Sequence, residues 1–281
     1  MVKSFRLFLL SLVALAGCQS VDLTGLVAPP GADADCRFLQ SREMQWPGPV
    51  EADPDGYVFY VCTDVHVDRT TANFSRFSEA LNADPQAVFA LVLGDCIDAK
   101  NMMPLFASVV ADSEKPMYVT LGNHDTFFSQ WNAFRDLVGP SAYCFEVRRG
   151  SARDLFISLD SAGGTLGRKQ TQWLQTLLET GRDEYDRCIV MTHTNIFKTD
   201  NTQTPSGNFP LEETLALTDL FSRRKVDLVL QGHDHSREDV MFRGVRYTTV
   251  GTLKDGCPRP EYARVTVSAG GIMLDWPEFG E

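Results

Sequence analysis

No Cys-x-x-Cys pair occurs in this sequence, which argues against a zinc ribbon or a thioredoxin-like redox site. Positive charge is scarce too. Lysine and arginine number 26 against 37 acids, a formal net charge of −11, and removing Lys3 and Arg6 with the leader described below deepens it to −13. A nucleic-acid groove built on bulk positive charge is therefore not expected, although a bound metal ion can reverse the field inside one pocket and admit a small anion. Outside the N-terminus no apolar run approaches the roughly 20 residues that cross a bilayer, and no internal repeat is present. Histidine is rare, with five in 281 residues, so where each falls carries information. What is abundant is apolar residue, 43% of the chain, enough for one large core or at most two small ones.

Met1 to Ser20 has the shape of an export signal: Lys3 and Arg6, an apolar run from Leu7 to Ala16, then small residues before Cys18. Leu15-Ala16-Gly17-Cys18 resembles a bacterial lipobox. The resemblance implies a lipoprotein signal peptide over residues 1–17, cleavage before Cys18 and a lipid anchor on its sulfur, holding the protein to a membrane of the cell envelope. An ordinary secreted protein with a free Cys18 is the alternative. Gln19 rather than aspartate follows the cysteine, which favours the outer membrane where one exists. Residues 18–55 read as a tether, with Pro29-Pro30-Gly31, Ala32-Asp33-Ala34-Asp35 and Trp46-Pro47-Gly48-Pro49. Phe38, Leu39, Met44 and Trp46 are atypical of a solvated linker, so its second half is expected against the domain. An oxidising compartment leaves disulfides open for Cys36, Cys62, Cys96, Cys144, Cys188 and Cys257. Cys62 and Cys188 fall inside expected core strands and read as small buried hydrophobes.

The domain spans residues 56–281, where short apolar runs alternate with amphipathic stretches. Strands are expected over Tyr57–Cys62, Ala87–Leu93, Met117–Leu121, Leu155–Leu159, Cys188–Thr192 and Val226–Leu230. Helices are expected over Phe74–Leu81 (with Asn73 as cap), Pro104–Ser113, Phe127–Val138, Gln170–Thr180 and Leu211–Lys225. Val245 to Trp276 reads as antiparallel strands and turns.

Five of these runs end in polar clusters: Asp64/His66, Asp95/Asp98, Asn123/His124/Asp125, His193 and His233/His235. All five histidines lie in the clusters, a sorting that scattered core or surface histidines would not produce. In an open α/β sheet the carboxyl ends of the strands are where ligands bind. Carboxylate, amide and imidazole donors without thiolate suit a pair of divalent ions such as Mn, Fe, Zn or Co. Such a pair can share a bridging carboxylate, acidify water and clamp a phosphoryl group.

The ordered series Asp64-x-His66, Gly94-Asp95, Gly122-Asn123-His124-Asp125, His193 and Gly232-His233-x-His235 resembles the calcineurin-like metallophosphoesterase superfamily, over residues 57 to about 270. The resemblance implies a four-layer α/β/β/α sandwich, two mixed sheets flanked by helices. It also implies two divalent metals, with Asp64, His66 and His235 on one, Asn123, His193 and His233 on the other, and Asp95 between them. His124 would then be the proton donor, oriented by Asp125, in hydrolysis of a phosphodiester or phosphomonoester by in-line attack of a hydroxide held between the metals. Asp98 stands where purple acid phosphatases carry a tyrosine ligand, and the arginine of protein phosphatases is missing from Asp98-Ala99-Lys100. A small phosphate ester is the expected substrate. A scaffold or binding protein that has lost hydrolysis is the alternative, weakened by the complete ligand set. Thr194 to Pro210, long and polar, is expected as a lid or specificity loop in which Lys198 or Asn195 meets phosphate, with an ordinary surface loop as the alternative.

Overall fold

In a computed structural model the described residues are 30–200 and 202–279. The expected signal peptide and Cys18 lie outside them. Two sheets stack face to face. The first has five strands: β2 (Gly56–Cys62), β3 (Ala87–Val92), β4 (Met117–Val119), β11 (Ala263–Ser268) and β12 (Gly271–Asp275), in the order β12-β11-β2-β3-β4. The second has seven: β1 (Val50–Ala52), β5 (Tyr143–Arg149), β6 (Ala152–Leu159), β7 (Arg187–Thr192), β8 (Leu228–Gln231), β9 (Glu238–Phe242) and β10 (Val245–Thr249), in the order β1-β5-β6-β7-β8-β10-β9. Both sheets mix parallel and antiparallel pairs. Helices α2 (Ala72–Ala83), α3 (Met103–Asp112) and α4 (Trp131–Leu137) supply apolar residues to a core on the outer face of the first sheet, and α5 (Gly167–Thr180) and α6 (Leu211–Arg223) do so for the second. The four-layer α/β/β/α sandwich is the architecture observed.

Continuous apolar strands make sense in this frame because both faces of each sheet are covered. In β2, Tyr57, Phe59 and Val61 enter the core between the sheets while Val58, Tyr60 and Cys62 meet the helices. In β7, Ile189 and Met191 face the other sheet, and Cys188 and Val190 face α5 and α6. Phe59, Phe89, Phe145 and Phe156 close the middle, with Phe156 edge-on to Phe59 and Phe89 at 5.4 Å. Phe74, Phe77 and Leu81 are all fully buried along one stripe of α2. Burial makes Cys62, Cys96 and Cys188 inert hydrophobes, and pushes the Cys188 thiol up to about 12. None of the six described cysteines is disulfide-bonded.

Several expectations need correction. Residues 30–52 are not a tether. Pro30–Arg42 forms helix α1, which lies on α5, with Phe38 and Trp46 each 5.6 Å from the Trp173 ring. Proline at the first helical position has the right φ and loses no intrahelical bond, so a helix can start at Pro30. The Arg37 guanidinium reaches the fully buried Asp160 through two bonds of 2.8 and 3.0 Å, and Ser41 meets Ser141. Strand β5, hidden by its outward Glu146 and Arg148, pairs with β6 and carries β1 on its other side. Asn73 does not cap α2. It lies inside the helix, and the end is capped by Asp255, whose carboxylate accepts from the backbone N–H groups of Ala72 and Asn73 at 2.9 and 2.7 Å. Within the tail, β10 pairs in parallel with β8 rather than only antiparallel with β9.

Arg37→Ala leaves Asp160 buried with only Ser141 Oγ and the Ala162 N–H as donors, and is expected to cost about 3 kcal/mol. Urea unfolding of the variant checks this. A loss below about 1 kcal/mol would mean that α1 is merely appended to the domain.

Candidate metal centre

The five polar clusters meet at one end of the sandwich. The first sheet supplies Asp64 and His66 after β2, Asp95 and Asp98 after β3, and Asn123, His124 and Asp125 after β4. The second supplies His193 after β7 and His233 and His235 after β8. Short backbone bonds lace these ends together: Asp64 N–H to Gly94 O at 3.0 Å, His66 N–H to Asp95 O at 2.9 Å, and Gly232 N–H to His193 O at 2.8 Å. Such close approach needs glycine. A Cβ on Gly122 would lie 2.0 Å from Asp95 N, and one on Gly232 would lie 2.0 Å from Thr63 Oγ1. The tightness also forces the ligands themselves into the left-handed region, with φ of 51° at Asp64, 49° at His66, 50° at Asp95, 79° at His233 and 55° at His235. For non-glycine residues this conformation costs of order 1–3 kcal/mol each, and it persists only where neighbours over-determine it.

Three groups of donors result: Asp64 with His66 and His235, Asp95 with His193 and His233, and His66 with Asp95 and His124. Within each group the donor atoms lie within 4.8 Å of one another. His66 Nε2 and His235 Nε2 face each other at 3.0 Å, and His235 Nε2 lies 3.1 Å from Asp64 Oδ1. Asn123 Oδ1 lies 3.0 Å from both His193 Nε2 and His233 Nδ1. Asp95 stands between the groups, Oδ1 at 3.3 Å from His193 and Oδ2 at 3.7 Å from His66. All seven expected ligands therefore converge.

The donor set fits divalent cations. Asp64 Oδ2 accepts from Thr63 Oγ1 at 2.8 Å and from His233 N–H at 2.9 Å, whereas Asp64 Oδ1 is buried with no hydrogen-bond partner among the described residues. An orphaned carboxylate oxygen facing two imidazole nitrogens is what a cation would satisfy. His193 Nδ1 is 2.8 Å from Leu93 O, which leaves Nε2 free to ligate.

Two features differ from expectation. Asp125 does not hold His124. Its carboxylate is fully buried and accepts from the N–H groups of Cys96, Ile97 and Gly122 at 2.9, 3.2 and 2.9 Å, bracing the turns that carry Asp95 and Asn123. The residue beside the His124 ring is Asp98, with Oδ1 at 3.0 Å from His124 Nδ1. His124 and Asp125 are adjacent on a 3₁₀ turn, His124–Ser129, where successive side chains diverge by about a third of a turn. The sequence marks Asp98 by its place in the β3 cluster, three residues after Asp95, but not as the partner of His124. Nor does the loop after His193 hang free. Asn195 is buried, giving its amide to Asp234 Oδ2 at 2.6 Å and Phe197 O at 2.8 Å, while Asn208 donates to its oxygen at 2.6 Å. Thr199 also reaches Asp234, so this loop is tied to the turn between His233 and His235. Lys198 is exposed.

Burial opposes charge on Asp64, yet His235 and His66 hold its carboxyl well below the usual range. Burial likewise opposes charge on Asp95, and His193 more than offsets it. Burial and the neighbouring Asp95 push Asp125 up to about 7, against its three N–H donors. Burial lowers His193, but Asp95 outweighs it and raises the imidazole to about 9, and burial together with His193 lowers His233. The Asp64 carboxylate, 3.1 Å from Nε2, raises His235. Protonated His193 therefore stabilises the metal-free fold below its unfolded value of 6.5, and that contribution is lost as pH rises through about 9. A cation requires the neutral imidazole, so binding releases the proton and strengthens across the same interval. The difference in melting temperature between manganese-loaded and chelator-treated protein is expected to widen from about pH 6.5 to about 9. A difference that stays constant or narrows would remove His193 from the ligand set.

Comparison with known proteins identifies the family. The family model described as calcineurin-like phosphoesterase matches residues 57–237. No curated protein matches the sequence. Among solved structures, a dimetal phosphatase from Danio rerio is 13% identical with a TM-score of 0.57, covering 80% of this chain and 97% of its own. GAP50, the anchor in the inner membrane complex of Plasmodium, is 16% identical with a TM-score of 0.62, covering 80% and 86%. A purple acid phosphatase from yellow lupin is 13% identical with a TM-score of 0.55, covering 79% of this chain and 51% of its own. At these identities the likeness is one of fold, and the family follows from the matched span: the chain belongs to the calcineurin-like phosphoesterases.

Proposed function

We propose that this protein hydrolyses a small phosphate ester with two divalent cations. Asp64, His66 and His235 would hold one, Asn123, His193 and His233 the other. The observation that carries the reading is Asp95, buried between the two groups with one carboxylate oxygen turned toward each. When bound, two such ions supply Lewis-acid charge to the phosphoryl oxygens and acidify a water molecule.

The chain's own residues do the rest. His124 is the one histidine outside both proposed sets, and its side chain is 31% exposed, so it can face solvent and substrate. A hydrogen bond from Nδ1 to Asp98 would leave Nε2 to give a proton to the departing alcohol. Phe127, exposed and 4.9 Å from the His124 ring, offers an apolar face for the leaving group. Asp125 would act indirectly, as the brace of the β3 and β4 turns. Mn, Fe, Zn and Co all suit this donor set. An inactive scaffold on the same fold would be free to lose ligands, and all seven are kept here. We further propose lipid attachment at Cys18 after export, on the strength of Leu15-Ala16-Gly17-Cys18.

Chelator-treated protein is expected to be inactive on chromogenic phosphomonoesters and phosphodiesters, and a panel of Mn, Fe, Zn and Co should restore turnover. Turnover of carboxyl esters alone would overturn the proposal. With metal added, His124→Ala should lose on the order of 100-fold in kcat on an ester with a poor leaving group, as removal of a general acid does. Asp95→Asn should lose bound metal as well as activity, measured by elemental analysis. Cys18→Ala should move the protein from the membrane to the soluble fraction, and continued membrane fractionation would contradict the anchor.

A further inference from the structure

We propose that Lys254 is a positioning residue for His124, acting through Asp98, an inference that rests on the reading of His124 as proton donor. Lys254 lies in the loop between β10 and β11, beyond the span matched by the family model. Its ammonium is 2.6 Å from Asp98 Oδ2, and the other oxygen of the same carboxylate is 3.0 Å from His124 Nδ1. Among the described residues, it is the one lysine or arginine paired with a carboxylate of the site.

The loop is anchored on both sides of this lysine. Leu253 N–H donates to Thr63 O at 3.0 Å, Thr252 Oγ1 donates to Asp64 O at 2.8 Å, and Lys254 N–H returns to Thr252 Oγ1 at 3.1 Å. Asn73 donates to Lys254 O at 3.1 Å, and the adjacent Asp255 caps α2. Five contacts thus tie residues 252–255 to the β2 turn, which carries two ligands, and to the first turn of α2.

Asp98 has two imidazoles within reach. Besides His124, its Oδ1 lies 3.6 Å from His66 Nδ1, which is buried and has no hydrogen-bond partner among the described residues. A small rotation of the carboxylate would exchange the His124 contact for one to His66. The Asp98 backbone is fixed by its N–H bond to Val67 O at 3.0 Å, so side-chain rotation is the freedom that remains. Lys254, drawing Oδ2 outward, sets that rotation and keeps Oδ1 on His124. An exposed lysine–aspartate pair contributes little to stability. Its consequence is the direction of the His124 ring.

The test uses the manganese-loaded full chain and two phosphomonoesters, p-nitrophenyl as a good leaving group and phenyl as a poor one. Lys254→Met is expected to lower kcat on the phenyl ester by on the order of tenfold. The p-nitrophenyl ester should be nearly unaffected, with KM and metal content unchanged on both. Lys254→Arg should restore most of the loss, and Lys254→Met added to His124→Ala should cost nothing further. An equal effect on both esters, a change in KM alone, loss of metal, or no effect would each overturn the role of Lys254. A His124→Ala enzyme whose loss is the same on both esters removes the proton donor itself, and this inference with it. A steep His124→Ala loss beside a flat Lys254→Met response removes only Lys254.

Discussion

Two carboxylates held out of water, Asp64 and Asp95, set the terms for the rest of this structure. Each is nearly inaccessible to solvent, and each remains charged because imidazoles and N–H donors surround it. Removing charge from water at this scale costs several kcal/mol per ion unless close partners repay it. The partners must be close, and this explains the glycines at 94, 122 and 232, the left-handed ligands, and the cross-strand bonds that knit five turns into one floor. Divalent cations would complete the same electrostatic balance, since Asp64 Oδ1 is buried without a hydrogen-bond partner among the described residues.

Much of this is legible in the sequence. A strand covered on both faces is apolar throughout, so its end is marked by an abrupt change of chemistry, and five such changes collected every histidine. What was not legible depends on non-local contacts. Asp255 caps a helix more than 180 residues earlier, which no local pattern of Asn73 and its neighbours records. Strand β5 carries charge on its outward positions and sits among glycine and arginine, which masks the alternation of Tyr143, Phe145 and Val147. Asp125 drew attention because it adjoins His124 in sequence, yet adjacency on a tight helical turn sends two side chains in different directions. Asp98 is near enough in space, but nothing local in the sequence pairs it with His124.

The N-terminal segment illustrates the same limit. Its proline and glycine content reads as linker, and its aromatic residues read as contact. The second signal prevailed because Phe38 and Trp46 find Trp173, and because Arg37 finds an acid that would otherwise be buried without a cationic partner. Asp160 then leads to Ser161, whose hydroxyl meets Thr192 and Thr194 on either side of His193. The first described helix is thus connected, through buried polar contacts, to the floor of the metal centre.

The pairing of β11 with β2 has a consequence for what counts as the folding unit. The span that defines the family, 57–237, stops short of β11, yet β11 lies beside β2 in the middle of its sheet and sends Val265 and Val267 into the shared core next to Phe59. Within that span alone β2 would become an open edge, and β8 would lose its neighbour β10. Open apolar edges recruit other chains, so the recognisable part of this protein would be an aggregation template rather than a minimal enzyme. The sequence most diagnostic of the family is shielded by sequence that the family does not define.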